Sequence, residues 1–235
     1  TAEVIGEEHG ITDTQLKNLA EKTSPLIAQL NAERKAGKTP YRDLPFNKEI
    51  PEKVKALAAE LKGHCENLVI LGIGGSALGN IALQTALKPY MHNLDDKSRL
   101  GPRVFVFDNI DPPQLASFLD WVGDKLDKTI FNVISKSGRT AETAAQFLII
   151  RKMLLDKLGP EGLKSHVVAT TDPQKGTLRK IATENQLSTL EVPEGVGGRF
   201  SVLSAVGLFM AAICERPISI FLCICPWLLT FLKGR

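Results

Sequence analysis

Three stretches of this sequence group residues that could hold an anion and act on it. The first is Gly72-Ile73-Gly74-Gly75-Ser76-Ala77-Leu78-Gly79. Glycines let a backbone turn sharply and bring bare N–H groups against an anion, and a helix starting there adds its positive end. Ser76 can add a hydroxyl. The plainer reading is a tight strand-to-helix turn with no ligand. A loose G-x-G-x-x-A dinucleotide pattern also runs from Gly72 to Ala77. The acidic residue expected about 20 positions on is missing, since Asp108 stands 36 residues after Gly72. Nor does the stretch end in the Gly-Lys-Ser/Thr of a triphosphate-binding loop.

The second stretch is Ser135-Lys136-Ser137-Gly138-Arg139-Thr140-Ala141-Glu142-Thr143, with four hydroxyls and two cations. Hydroxyls and N–H groups around a helix start can take several oxygens of one phosphate monoester. Glu142 does not suit an anion site and is better placed outward, in the first helical turn. Ser137 or Thr140 acting only as a helix cap would explain one hydroxyl, not four. The third stretch is Glu194-Gly195-Val196-Gly197-Gly198-Arg199-Phe200-Ser201. An arginine in a glycine-lined loop can approach a developing oxyanion closely, and its fixed charge suits that role. The alternative is a surface arginine on a flexible loop.

Each stretch follows a short apolar run. Those runs are 68–71, 104–107, 130–134, 167–170 and 189–192, with helical patterns near 76–88, 112–126, 140–158 and 175–185 between the first four and before the fifth. Short apolar strands alternating with helices predict a parallel sheet covered on both faces. In such sheets ligands bind beyond the carboxyl ends of the strands, where these three stretches lie. Upstream, residues 11–36 read as helix, capped by Thr12 or Asp13 and kinked or split at Pro25. Residues 37–47 read as a connector, and a helix runs from about Pro51 to Lys62. The predicted organisation is a helical extension over 1–48, an α/β domain over 49–213 and an atypical tail over 214–235.

The composition excludes other classes. The chain has 235 residues with 29 Lys+Arg against 26 Asp+Glu, a net +3 without a basic block, so no nucleic-acid partner is indicated. Four cysteines make no disulfide framework in a chain this long. His9, His64, His92 and His166 are scattered singly, with no zinc spacing, and read as surface residues. No signal peptide is visible at the N-terminus, which begins at Thr1 and suggests a processed product or a fragment. Pro217 to Leu232 carries no charge. It is short for a membrane span and broken by Pro226. A foreign end after about Cys214 is the leading reading, ahead of a buried final element and a membrane anchor.

Taken together, LGIGGSALG, FDNIDPP, ISKSGRTAET and EGVGGRFSVLSAVGL resemble the glucose-6-phosphate isomerase (phosphoglucose isomerase) family and occur in its order. The resemblance implies the sugar-isomerase (SIS), flavodoxin-like fold, a three-layer α/β/α sandwich with a five-stranded parallel sheet. It implies interconversion of glucose 6-phosphate and fructose 6-phosphate through a cis-enediol, in glycolysis and gluconeogenesis. By matching position, Gly75 and Ser76 take first-loop substrate contacts. Ser135, Lys136, Ser137 and Thr140 form the sugar-phosphate cradle. Gly198 and Arg199 steady the enediol, with Arg199 the catalytic member. The resemblance further implies no redox cofactor, no metal, no membrane or nucleic-acid partner, a cytoplasmic location, and a homodimer for complete members.

Two departures stand out. Arg139 replaces the usual threonine of the family's SKSGTT-like motif. The motifs of the second SIS domain, which bring the proton-transferring glutamate and the histidine and lysine of ring opening, do not occur in these 235 residues. Glu142, Asp108 and Glu194 match none of them. The expectation is a sugar-phosphate-binding half enzyme with little or no turnover. The rival readings are a non-catalytic SIS module that senses sugar phosphates and a nicotinamide-dependent oxidoreductase.

Overall fold

Each apolar run becomes a parallel strand. The computed structural model describes residues 2–97 and 99–214. The strands are β1 (Asn67–Leu71), β2 (Arg103–Phe107), β3 (Thr129–Ser135), β4 (Val167–Thr171) and β5 (Ser188–Glu191). They form one sheet in the order β2-β1-β3-β4-β5, all neighbours parallel. The chain steps outward from β1 to β2 and then returns to β3 on the other side of β1. The loops leaving β1 and β3 therefore diverge, which opens a crevice at their carboxyl ends. Leu71 pairs with Val133, so β3 extends two residues further, to Ser135, before its loop begins.

Alternate residues of each strand feed opposite layers. Leu68 and Ile70 of β1 join Ile130, Ile134, Val168 and Leu190 against α3 (Glu49–Leu61) and α8 (Ala205–Ile213), with Leu83 of α4 (Gly75–Leu87) packed on them. Val69 and Leu71 join Phe107, Phe131, Val133 and Ala169 against α5 (Pro112–Val122), α6 (Ala141–His166) and α7 (Thr177–Glu184). The result is the expected three-layer α/β/α sandwich. Eight of the nine residues of α8 are buried, as befits a helix apolar on every side. Ser204 accepts a hydrogen bond from the Val206 N–H and starts α8 at the end of the third glycine stretch.

Residues up to Arg42 form a separate compact unit. It holds α1 (Ala2–Ile5) and α2 (Asp13–Lys35). Thr12 and Gln15 make a reciprocal capping box at the start of α2. Arg42 ties back to α2 through the Leu30 carbonyl at 2.6 Å. No residue of α2 is buried.

Some expectations need correction. Helix α2 runs as one element through Pro25 rather than splitting there. The helix expected to end at 158 does break there, because Gly159 has φ 71°, but a second helical piece beginning at Pro160 continues to His166. Nor are all the histidines at the surface. His92 and His166 are buried, and their rings contact the Pro102, Gly162 and Asp127 carbonyls. Buried imidazole nitrogens need such partners. Cys65 is buried and in no disulfide; burial first, and the neighbouring Cys214 second, push its thiol up to about 12. The 217–232 segment lies outside the described residues. Among the described residues no helix is long and apolar enough to cross a membrane.

Candidate functional site

The first loop leaves β1 and turns at Gly74, whose φ of 57° and lack of a Cβ let α4 start at once. No side chain caps α4. Ser76 is half-buried, and its hydroxyl makes no hydrogen bond among the described residues. Its carbonyl accepts from the amide of Asn80, a fully buried side chain that fixes the turn from below.

The second loop leaves β3. Thr140 occupies the cap position of α6, yet its side chain does not cap. Its hydroxyl instead meets the Ser135 hydroxyl at 3.2 Å. Ser137 accepts from the Arg139 N–H. The Thr171 hydroxyl donates to the Ser135 carbonyl at 2.7 Å. The capping explanation of this loop is therefore not realised: two of its hydroxyls face each other and a third closes the turn. Directly beneath lies a small apolar cavity of about 140 Å³, lined by Ser135, Thr140, Thr143, Phe147 and Leu178.

A fourth segment joins the site that sequence reasoning passed over: Asp172 to Thr177, after β4. A Cβ on Gly176 would stand 2.6 Å from the Ser137 carbonyl oxygen, and one on Gly138 would stand 2.9 Å from the Thr177 nitrogen. The start of α7 is thus packed backbone to backbone on the second loop. The backbone N–H groups of Gln174 and Lys175, helped by the Lys175 and Lys136 cations, hold the Asp172 carboxyl below its ordinary value. The available signal was positional, since Asp172 to Gly176 is also a strand-to-helix loop at the carboxyl edge.

The third loop starts at the far edge of the sheet, after β5, and crosses back over the ends of β4 and β3. Two contacts define where it lands. The Lys136 ammonium donates to the Val196 carbonyl at 2.8 Å. Gly75 packs against Gly198 so closely that a Cβ there would fall inside the Gly198 carbonyl and 2.7 Å from the Arg199 nitrogen. Val202 then packs on Gly79 of α4. Arg199 is exposed, and its guanidinium makes no hydrogen bond or ion pair among the described residues; it lies 5.8 Å from the ring of Phe200.

The structure thus brings Gly75, Gly198 and the backbone of Arg199 into one seam, and joins that seam to the second loop through Lys136. Ser76 sits beside Gly75 at the start of α4. Ser135, Ser137 and Thr140 cluster across the crevice, after the adjacent strand β3. The Arg139 side chain is exposed and unengaged among the described residues, as are the Asp108 and Glu194 carboxylates, while Glu142 is half-buried. Bare amides, hydroxyls and a fixed cation along one rim suit a phosphorylated, oxygen-rich small molecule better than an apolar one. Among the described residues no cluster of His, Cys, Asp and Glu could hold a metal ion.

Comparison with known proteins gives this arrangement relatives. Residues 47–215 match the family model described as phosphoglucose isomerase. A glucose-6-phosphate isomerase of Carboxydothermus hydrogenoformans is 40% identical over 210 residues, covering 88% of this chain and 44% of the relative. One from Rubrobacter xylanophilus is 39% identical over 217 residues, covering 92% of this chain and 48% of the relative. The chain therefore spans less than half the length of either. Among solved structures, a hypothetical protein of Thermus thermophilus superposes with a TM-score of 0.75 at 33% identity, over 88% of this chain and 48% of its own. A glucose-6-phosphate isomerase from Chlamydia trachomatis gives 0.59 at 26% identity, over 74% and 31%.

Proposed function

The chain belongs to the phosphoglucose isomerase family, and from that premise we propose that it is the phosphate-gripping half of an isomerase interconverting glucose 6-phosphate and fructose 6-phosphate. The phosphate sits on the second loop, held by the Ser135, Ser137 and Thr140 hydroxyls and by backbone N–H groups, including that of Lys136. Gly75 and Ser76 meet the sugar from the first loop. In the isomerisation the ring opens, a base removes the C2 proton, an enediolate forms and the proton returns to C1. Arg199, steadied by Gly198, places a permanent cation beside the enediolate oxygens. Binding energy from the distant phosphate holds the reacting carbons in register with it. No step in this scheme uses a redox cofactor or a metal. A homodimer and a cytoplasmic location belong to the same reading.

The observation that carries it is the seam of Gly75 on Gly198 together with the Lys136–Val196 bond, which lets loops from β1, β3 and β5 face one small molecule. None of Glu142, Asp108 and Glu194 matches the family base, so turnover by these 235 residues alone is expected to be negligible. Calorimetric titration with glucose 6-phosphate and with NAD tests the binding half. Saturable binding of the sugar phosphate alone supports the reading. Tight binding of NAD alone refutes it in favour of an oxidoreductase. A coupled assay that found robust isomerase activity would overturn the assignment of the base to residues outside this chain.

A further inference from the structure

We propose that the side chain of Lys136 is a positioning residue. It latches the glycine-rich 194–201 loop and so sets where Arg199 can reach, rather than serving as a charged ligand of the phosphate. The inference rests on the sugar-phosphate reading of the site and adds a division of labour within it.

Lys136 lies between two hydroxyl residues of the cradle, where a cation is easily taken for a phosphate ligand. Its ammonium is already committed. It donates to the Val196 carbonyl at 2.8 Å, across 60 positions of sequence. Val196 is a firm anchor, because its side chain is fully buried. On the other side lies Asp172, whose carboxyl is held below its ordinary value chiefly by the Gln174 and Lys175 N–H groups, with the Lys136 cation adding a small share. Lys136 thus stands among three loops, those after β3, β4 and β5.

The loop it grips has few other restraints on this side. Gly195 adopts φ 74°, and Gly197 and Gly198 have no side chain to pack. The turn from Gly197 to Ser204 is closed on itself by Phe200, Ser201 and Ser204 bonding to nearby carbonyls. Those bonds shape the turn but do not hold it over the crevice. The contacts that do are the burial of the Val196 side chain, the bare packing of Gly198 on Gly75, Val202 on Gly79 and Gly207, and the Lys136 bond, which among them is the polar one. A hydrogen bond from a charged donor is roughly twice as strong as a neutral one. Among the described residues the Lys136 bond is the strong polar tether close to Arg199. A catalytic group needs such outer support, since misplacement by an ångström costs ~100-fold in rate.

The test compares Lys136→Met and Lys136→Arg with the wild-type full chain. The first readout is amide hydrogen exchange over residues 195–201. The second is affinity for inorganic phosphate. Loss of the latch in Lys136→Met should speed exchange in this segment ~10-fold or more, while Lys136→Arg, which keeps a cation, stays near wild type. Phosphate affinity should stay within ~3-fold in Lys136→Arg and fall by less than ~10-fold in Lys136→Met, which loses only the through-space attraction of a nearby cation, because hydroxyls and backbone amides make the direct contacts. Unchanged exchange in Lys136→Met overturns the inference. So does loss of phosphate affinity by ~10-fold or more with the loop still protected, which would make Lys136 a direct ligand. If wild type binds neither phosphate nor glucose 6-phosphate, the sugar-phosphate reading fails, and the exchange comparison still decides the latch alone.

Discussion

Gly75→Ala puts one methyl group into the seam between the first and third loops. Gly75 is not among the glycines with positive φ, so its backbone accepts alanine. Helix propensity alone would favour the change by up to about 1 kcal/mol. Against that, the new Cβ would fall inside the Gly198 carbonyl and 2.7 Å from the Arg199 nitrogen. Both neighbours are backbone, so no side-chain rotation relieves the clash, and one loop must move away. Overpacking of this kind costs about 1–3 kcal/mol. The expected net loss is about 1–2 kcal/mol by urea unfolding, read as a lower midpoint at unchanged slope. Gly63→Ala is the control, since nothing lies within 4 Å of its Cβ and its φ is not positive. It should stay within about 0.5 kcal/mol of wild type. The same Gly75 variant should bind glucose 6-phosphate ~10-fold more weakly, because the displaced loop carries Arg199. If Gly75→Ala were as stable as wild type and bound the sugar phosphate equally well, the seam would have no part in the site.

Thr140→Val removes one cradle hydroxyl while keeping its shape. A hydrogen bond to a charged group is worth about 1.5–3 kcal/mol, so calorimetry should show phosphate affinity falling ~10- to 100-fold. Arg139→Thr should leave urea stability within about 0.5 kcal/mol, because the replaced side chain is exposed and unengaged among the described residues. Cys65 gives a pH signature. Its folded-state value of about 12 lies above the ordinary 9.0, so the folded protein keeps the thiol proton longer than the unfolded chain. That contribution is fully present below pH 9 and is lost as pH rises toward 12. Unfolding at pH 8 and near pH 10 should therefore differ by about 1.4 kcal/mol more in wild type than in Cys65→Ala. An identical pH slope in the two proteins would contradict it.

The sheet was legible because a strand buried on both faces must be apolar at every position, and Leu68 to Leu71 and Ile130 to Ile134 are nearly so. The three loops were legible because glycines and hydroxyls directly after such runs have little use in a core. What escaped notice depends on distance along the chain. Nothing near Lys136 in sequence marks Val196 as its partner, and only the return of the third loop from β5 creates that pair. The Asp172 to Gly176 turn carries no cluster of hydroxyls, although its position at the carboxyl edge was a usable clue. Pro25 predicts a kink or a split from a local rule, and the split does not occur, since α2 runs through it as one element. Nothing near His92 or His166 in sequence marks the carbonyls their rings contact, so a lone imidazole there gives no hint of its burial.

The central claim is that loops from β1, β3 and β5 grip one phosphorylated hexose. Amide chemical shifts recorded while glucose 6-phosphate is titrated into the chain test it most directly. Saturable shifts with one common dissociation constant at Gly75 and Ser76, at 135–140, and at Gly198 and Arg199 are predicted. Shifts confined to a single loop, or absent from all three, would contradict it.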